Sequence, residues 1–250
     1  MKAIKQYAAI PWNAAGDWLF NRRIYAKLRR REHVLCIGDS HVRVMRHVRH
    51  PRVWFRTVSV EGATASGVMN PNGTAQAMPI FTKRLMRART WQSVLVQLGE
   101  VDCGFVIWHR AARRDLSVTE QLVHTLNTYS AFISKIVAMG FRDICVLSAP
   151  APTIGDDPID WGHVANLRSE VSASISDRTV LTLRFNSEMQ QRCSELGASF
   201  IDATTGHIDP TTGLVHPEFL RDTPEDHHLA DFPYAALILR ELFATTTAES

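Results

Sequence analysis

The sequence predicts an α/β fold: a three-layer α/β/α sandwich around a central parallel sheet of about five strands. Three observations carry this expectation. Short apolar runs recur along the chain. Longer stretches with helical periodicity separate them. Polar segments rich in Gly, Ser and acidic residues follow the runs directly. Strands buried on both faces read as continuous apolar runs, and right-handed helical crossovers then cover the sheet on both sides.

The elements follow in order. His33 to Ile37 reads as a buried first strand ending at Gly38, and Val53 to Val60 as a second, closed by Glu61-Gly62. Pro79 to Arg89 carries Phe81, Leu85 and Met86 at helical spacing. Ser93 to Leu98 is the third strand, followed by Gly99-Glu100-Val101-Asp102. Ser117 to Met139 is a long amphipathic helix with Leu122, Leu126, Tyr129, Ile133, Ile136 and Val137 on one side, stopping at Gly140. Asp143 to Leu147 is the fourth strand, Val164 to Cys193 holds one or two helices, Ser199 to Asp202 is the fifth strand, and Phe232 to Phe243 is a terminal helix. The Pro-, Gly- and Asp-rich segment from Pro150 to Gly162 reads as a surface loop.

With 250 residues, 45% hydrophobic and 21% charged, the chain suits one sizeable core. Residues 32–245 form the expected domain, and residues 1–31 a basic amphipathic preface. No run of eighteen apolar residues occurs, so no spanning helix is expected. Cys36, Cys103, Cys145 and Cys193 are scattered without metal-ligand spacing, which points to free thiols in a cytoplasmic protein. The net charge of +3 hides an asymmetry: residues 1–52 carry 12 Lys/Arg against 3 Asp/Glu. Such an arm either packs as a solvated helix face or meets an anionic membrane surface, making the protein peripheral to the membrane. Pro11 and Gly16 argue against one continuous helix there. Nucleic acid is the less favoured partner. No GxGxxG follows the first strand and there is no P-loop, which disfavours nucleotide cofactors.

Ligands of open α/β sheets bind beyond the carboxyl ends of the strands, so the segments just after the strands are the informative ones. Ser40, in Gly38-Asp39-Ser40-His41, stands at a strand-to-helix turn where outward amides could stabilise an oxyanion; alone it, or Asp39, could equally cap the helix beginning at His41. A serine nucleophile needs a base, and the base needs an orienting acceptor. Glu225-Asp226-His227-His228 supplies both, with His228 as base and Asp226 or Glu225 behind it. Gly62 would let a backbone amide approach an oxyanion.

These residues together resemble the SGNH, or GDSL, hydrolases, a flavodoxin-like sandwich. Gly38-Asp39-Ser40 matches the first block, Gly62-Ala63-Thr64 is similar to the second, Gly99-Glu100-Val101-Asp102 stands at the third, and Glu225 to His228 at the fourth. The resemblance implies a serine esterase or acyltransferase acting on an O-acyl ester, O-acetyl on a sugar or polysaccharide being the expected substrate. Ser40 and Gly62 would hold the oxyanion, and Asp39, His41, Glu100, Asp102 and Asn70 would line the substrate site, with no metal and no cofactor. Two departures stand out. The family's third-block Asn is Val101 here, which donates nothing; His41, Asn70 and Asn72 are the candidate replacements. The GEVDC wording resembles a GDSH-type subgroup found beside glycan-synthesis genes. In the fourth block, DxxH spacing from His228 falls on Glu225 rather than on Asp226. The altered oxyanion site leaves a second reading open, a weakly active or inactive glycan-binding module. Trp108, His109 and Trp161 are candidate sugar-stacking residues.

Overall fold

The structure is a computed structural model that describes residues 14–114, 116–156, 172–223 and 226–244. Five parallel strands form one sheet: β1 (Glu32–Gly38), β2 (Val53–Ser59), β3 (Ser93–Gln97), β4 (Ile144–Leu147) and β5 (Ser199–Ile201), in the order β2-β1-β3-β4-β5. The expected sandwich and strand set are found. The strand order reverses between β1 and β3, and a ligand crevice opens at such a switch point. The chain leaves β1 at Asp39-Ser40 and β3 at Gly99 on that same end of the sheet.

Helices cover both faces, and their termini follow from local chemistry. α3 (Ala77–Arg87) begins two residues before the expected start; Pro79 falls in its first turn, where a missing N–H costs nothing. A π-helical turn, Asp102–Val106, runs into α4 (Ile107–Arg114). α5 (Val118–Ala138) opens on a reciprocal Ser117–Glu120 capping box, and its buried side adds Phe132 to the expected stripe. α6 (Ile175–Leu196) opens on a Ser174–Asp177 box and ends at Gly197 in the left-handed conformation. Its expected N-terminal part, like Trp161, lies outside the described residues. α7 is Asp231–Ala244. One core joins the sheet to Phe81, Tyr129, Phe132 and Phe185; the other joins it to Val42, Met45, Tyr234 and Ile238. All four cysteines are free thiols. Among the described residues no helix is long and apolar enough to cross a membrane.

The described part of the preface is two helices, α1 (Ala14–Phe20) and α2 (Arg23–Arg29). As expected, the segment is not one continuous helix: the chain turns at Asn21-Arg22, while Gly16 lies inside α1 and Pro11 lies outside the described residues. Phe20 anchors the pair. Its ring stacks on His33 at 4.8 Å and meets Trp54 edge-on, while its carbonyl accepts from Gln92 Nε2 at 3.1 Å. Trp18 and Ile24 point outward, 58% and 71% exposed.

Gly38 sits between β2 and β3, paired with Ser59 and Gln97. A Cβ added there would lie 2.1 Å from the Gln97 carbonyl oxygen, a backbone atom that cannot swing aside. Gly38→Ala is therefore expected to cost on the order of 3 kcal/mol by overpacking. A lowered urea midpoint checks this, and an unchanged midpoint would contradict it.

Candidate active site

The turn after β1 is organised by Asp39. Its carboxylate caps a seven-residue 3-10 helix, Ser40–Arg46, by accepting from the His41 backbone N–H at 2.9 Å. The cap is thus Asp39 and not Ser40. The same Asp39 oxygen lies 3.1 Å from His41 Nδ1. On the other side of that ring, Nε2 faces the His227 carbonyl oxygen at 3.3 Å and Glu100 Oε2 at 3.8 Å. Burial disfavours a charged His41, but Glu100, Asp39 and the bonds to Asp39 and the His227 carbonyl outweigh it and hold the pKa above the ordinary value.

His41 also joins the two ends of the chain. Its ring centroid lies 4.7 Å from that of His228 and 5.4 Å from that of His227, across 186 residues of sequence or more. Ser40, the residue before it, is buried at 6% exposure, and its hydroxyl makes no hydrogen bond to His228 Nε2. His228 Nδ1 donates to Asp226 Oδ1 at 2.7 Å, and the His228 backbone N–H donates to the same oxygen at 2.9 Å. The tautomer is assigned from this partner: a proton on Nδ1 leaves the lone pair on Nε2. That Nε2 is buried and makes no hydrogen bond. Burial and the neighbouring His41 charge lower the His228 pKa against the opposing pull of Asp226. A neutral imidazole with an open Nε2 is the form that can accept a proton.

Asp226 is itself braced. Its Oδ2 accepts from Arg221 Nη1 at 2.8 Å, and Arg221 Nη2 reaches Asp231 at the start of α7, also at 2.8 Å. Burial would raise the Asp226 pKa, but His228 and Arg221 bring it below the usual carboxylate range. Of the two carboxylates that spacing allows behind His228, Asp226 makes the contact; Glu225 lies outside the described residues. Arg221 carries no sequence signal, being an arginine in a polar loop.

The third block behaves differently from its first reading. Asp102 is fully buried and accepts from the backbone N–H groups of Ala65 and Ser66 at 2.6 and 3.1 Å. It braces the loop after β2, and Arg110 ties the same loop through Ser66 Oγ at 2.9 Å. Burial raises its pKa to about 6 against these hydrogen bonds. Asp102 and Asp39, both expected to touch substrate, are instead buried holders of the protein's own groups. Glu100 is buried beside His41. Val101 occupies the turn leading into the Asp102–Val106 segment, with an apolar side chain where a donor was wanted. Gly62 has φ 69° in an exposed turn, and no atom would meet an added Cβ. Asn70 and Asn72 are exposed, Asn70 Oδ1 accepting from the Asn72 N–H at 3.0 Å in a local turn. Trp108 donates Nε1–H to the Cys103 carbonyl at 2.8 Å and packs against the core, while His109 lies against Phe105.

No protein-family model matches the chain, and no curated protein matches it in sequence. Solved structures do match in shape. A Bacteroides fragilis NCTC 9343 protein, provisionally described as an acylhydrolase, aligns with a TM-score of 0.56 at 11% identity, over 92% of this chain and 97% of that one. A GDSL-like lipase of Bacteroides thetaiotaomicron VPI-5482 aligns at 0.50 and 12% identity, over 92% and 98%. A single-residue variant of an acetyl-xylooligosaccharide esterase from Geobacillus Stearmophilus aligns at 0.50 and 14%, over 85% and 93%. The fold is that of the SGNH/GDSL hydrolases.

Proposed function

On the SGNH/GDSL hydrolase fold, we propose that this chain is a serine esterase or acyltransferase for an O-acyl ester, in particular an O-acetyl group on a sugar or polysaccharide. The observation that carries this is the Asp226–His228 pair, with a buried, unbonded Nε2, packed against the Ser40-His41 turn. Ser40 Oγ attacks the acyl carbonyl while its proton passes to His228 Nε2. Asp226 stabilises the imidazolium that forms. The same proton goes to the leaving alkoxide as the tetrahedral intermediate collapses to acyl-Ser40. Water, or an acceptor hydroxyl in the transferase case, then attacks the acyl group with His228 again as base. The acetyl-sugar preference draws on the acetyl-xylooligosaccharide esterase among the structural neighbours.

The backbone amides of Ser40 and Gly62 are the proposed oxyanion donors. Losing the side-chain donor at Val101 removes ~3 kcal/mol of transition-state stabilisation, ~100-fold in rate. Slow or narrowly specific acyl chemistry is the expected consequence. Val101 also motivates the second reading, a glycan-binding module. Labelling with a fluorophosphonate, followed by peptide mapping, separates the two. Modification at Ser40 supports the esterase. Glycan binding without any labelling supports the module.

The surface of α1 and α2 supports one partner. Exposed Trp18 and Ile24 stand among exposed Arg22, Arg23, Lys27, Arg30 and Arg31, the mixture that seats at an anionic lipid interface. Binding to phosphatidylserine vesicles at low ionic strength is expected, with release at about 1 M salt, where screening is short-ranged. Flotation assays of the full chain and of Trp18→Ser/Ile24→Ser check it. Equal binding to neutral vesicles would rule it out.

A further inference from the structure

We propose that His41, His227 and His228 form a binding site for a divalent transition-metal ion of the zinc type. The three rings each offer a nitrogen, and these atoms lie within 4.8 Å of one another. Nitrogens bound tetrahedrally at ~2.0–2.1 Å from zinc stand about 3.4 Å apart, so closure needs small ring movements only.

Three features separate this cluster from a chance meeting of histidines. First, two of the rings are oriented in the manner of metal ligands. Asp39 holds His41 at Nδ1 and Asp226 holds His228 at Nδ1, so both present Nε2. A carboxylate behind the imidazole fixes the tautomer and raises ligand basicity at metal centres. Second, His228 Nε2 is a buried polar atom with no hydrogen-bond partner. Third, His41 Nε2 points into the cluster, where without metal its proton is donated to the His227 carbonyl beside Glu100 Oε2; a metal ion would displace that proton and take its place. The Glu100 carboxylate beside this nitrogen favours positive charge in the cluster. Imidazole donors select zinc, copper or nickel over magnesium and calcium.

The adjacent pair His227-His228 is a poor site on its own, because neighbouring histidines seldom converge on one ion. His41, from the far end of the chain, supplies the third nitrogen. If the serine mechanism above holds, an ion on His228 Nε2 takes the lone pair that would accept the Ser40 proton. Metal binding then inhibits the esterase. The metal site itself does not rest on that mechanism.

The test uses the full chain, stripped with a chelator and titrated with zinc between about pH 7 and pH 8 against a chromophoric chelator, binding being coupled to release of imidazole protons. One tight equivalent is expected for the wild type and for Ser40→Ala alike. His227→Gln and His228→Gln should each weaken binding ~10-fold or more. The cobalt-loaded protein should show visible absorption that disappears in the same variants. Circular dichroism and urea melts confirm that the variants fold. The absence of tight zinc binding in the wild type overturns the proposal, and so does binding that neither substitution weakens. Should the protein bind zinc through these residues yet hydrolyse no ester when stripped, the metal site stands and the esterase reading falls. Should it hydrolyse esters but bind no zinc, the reverse holds.

Discussion

Ser40→Ala is expected to lower kcat for p-nitrophenyl acetate by on the order of 10³-fold or more, the loss typical when the member of a triad that forms the covalent bond is removed. The reasoning is geometric. Asp39 takes the capping role, so alanine at position 40 removes no helix cap, and the fold should survive with an unchanged urea midpoint. His228→Ala should cost about as much, because nucleophile and base act as a unit, and the double variant should cost little more than either single one. Asp226→Asn should lose activity as well, since the amide carries no charge to stabilise the imidazolium and its NH2 end must face a donor, either Arg221 or His228. Equal rates for Ser40→Ala and the wild type would remove Ser40 from the mechanism.

Asp102→Ala is expected to be the most destabilising substitution near the site. It strands two backbone N–H groups, those of Ala65 and Ser66, in a buried setting, at roughly 1–3 kcal/mol each. Relief from burying a carboxylate offsets part of that, leaving a net loss of about 3 kcal/mol at neutral pH. The pH dependence has a definite sign. The folded pKa is about 6 against an ordinary value of 3.8, so the folded state binds the proton more tightly than the unfolded chain. Asp102 therefore adds most to stability below about pH 4, and that contribution declines as pH rises to about 6. The penalty of Asp102→Ala should be larger at acidic pH than at neutral pH. Urea unfolding of both proteins across that window checks it; a penalty that grows with pH would contradict the assignment.

The strands and α5 could be read from the chain because their signals are local. Val94 to Val96 is a continuous apolar run, and Ser117 with Glu120 announces a helix start on its own. The short helix Ser40–Arg46 could not be read so well. Seven residues contain too few turns for a period, and its 3-10 form depends on Val42, Val44 and Met45 entering the second core. The candidate site divides along the same line. Ser40, Asp226 and His228 were visible as residue types in a particular order. The parts played by Asp102 and Arg221 were not. Asp102 depends on partners that only folding brings near, the Ala65 and Ser66 amides 37 and 36 residues away. Asn70, a polar residue in the loop after β2, is exposed and its side chain accepts from the Asn72 amide of its own turn.

The bridge from Asp226 through Arg221 to Asp231 ties the base to the first turn of α7, the last described helix, whereas Ser40 follows the first strand. During synthesis at ~5–20 residues per second, the serine emerges many seconds before the histidine that would activate it. Until α7 docks on Met45 and Ile201, the nascent chain holds an inert alcohol. On the proposed mechanism, completion of the fold is the event that brings base and nucleophile together.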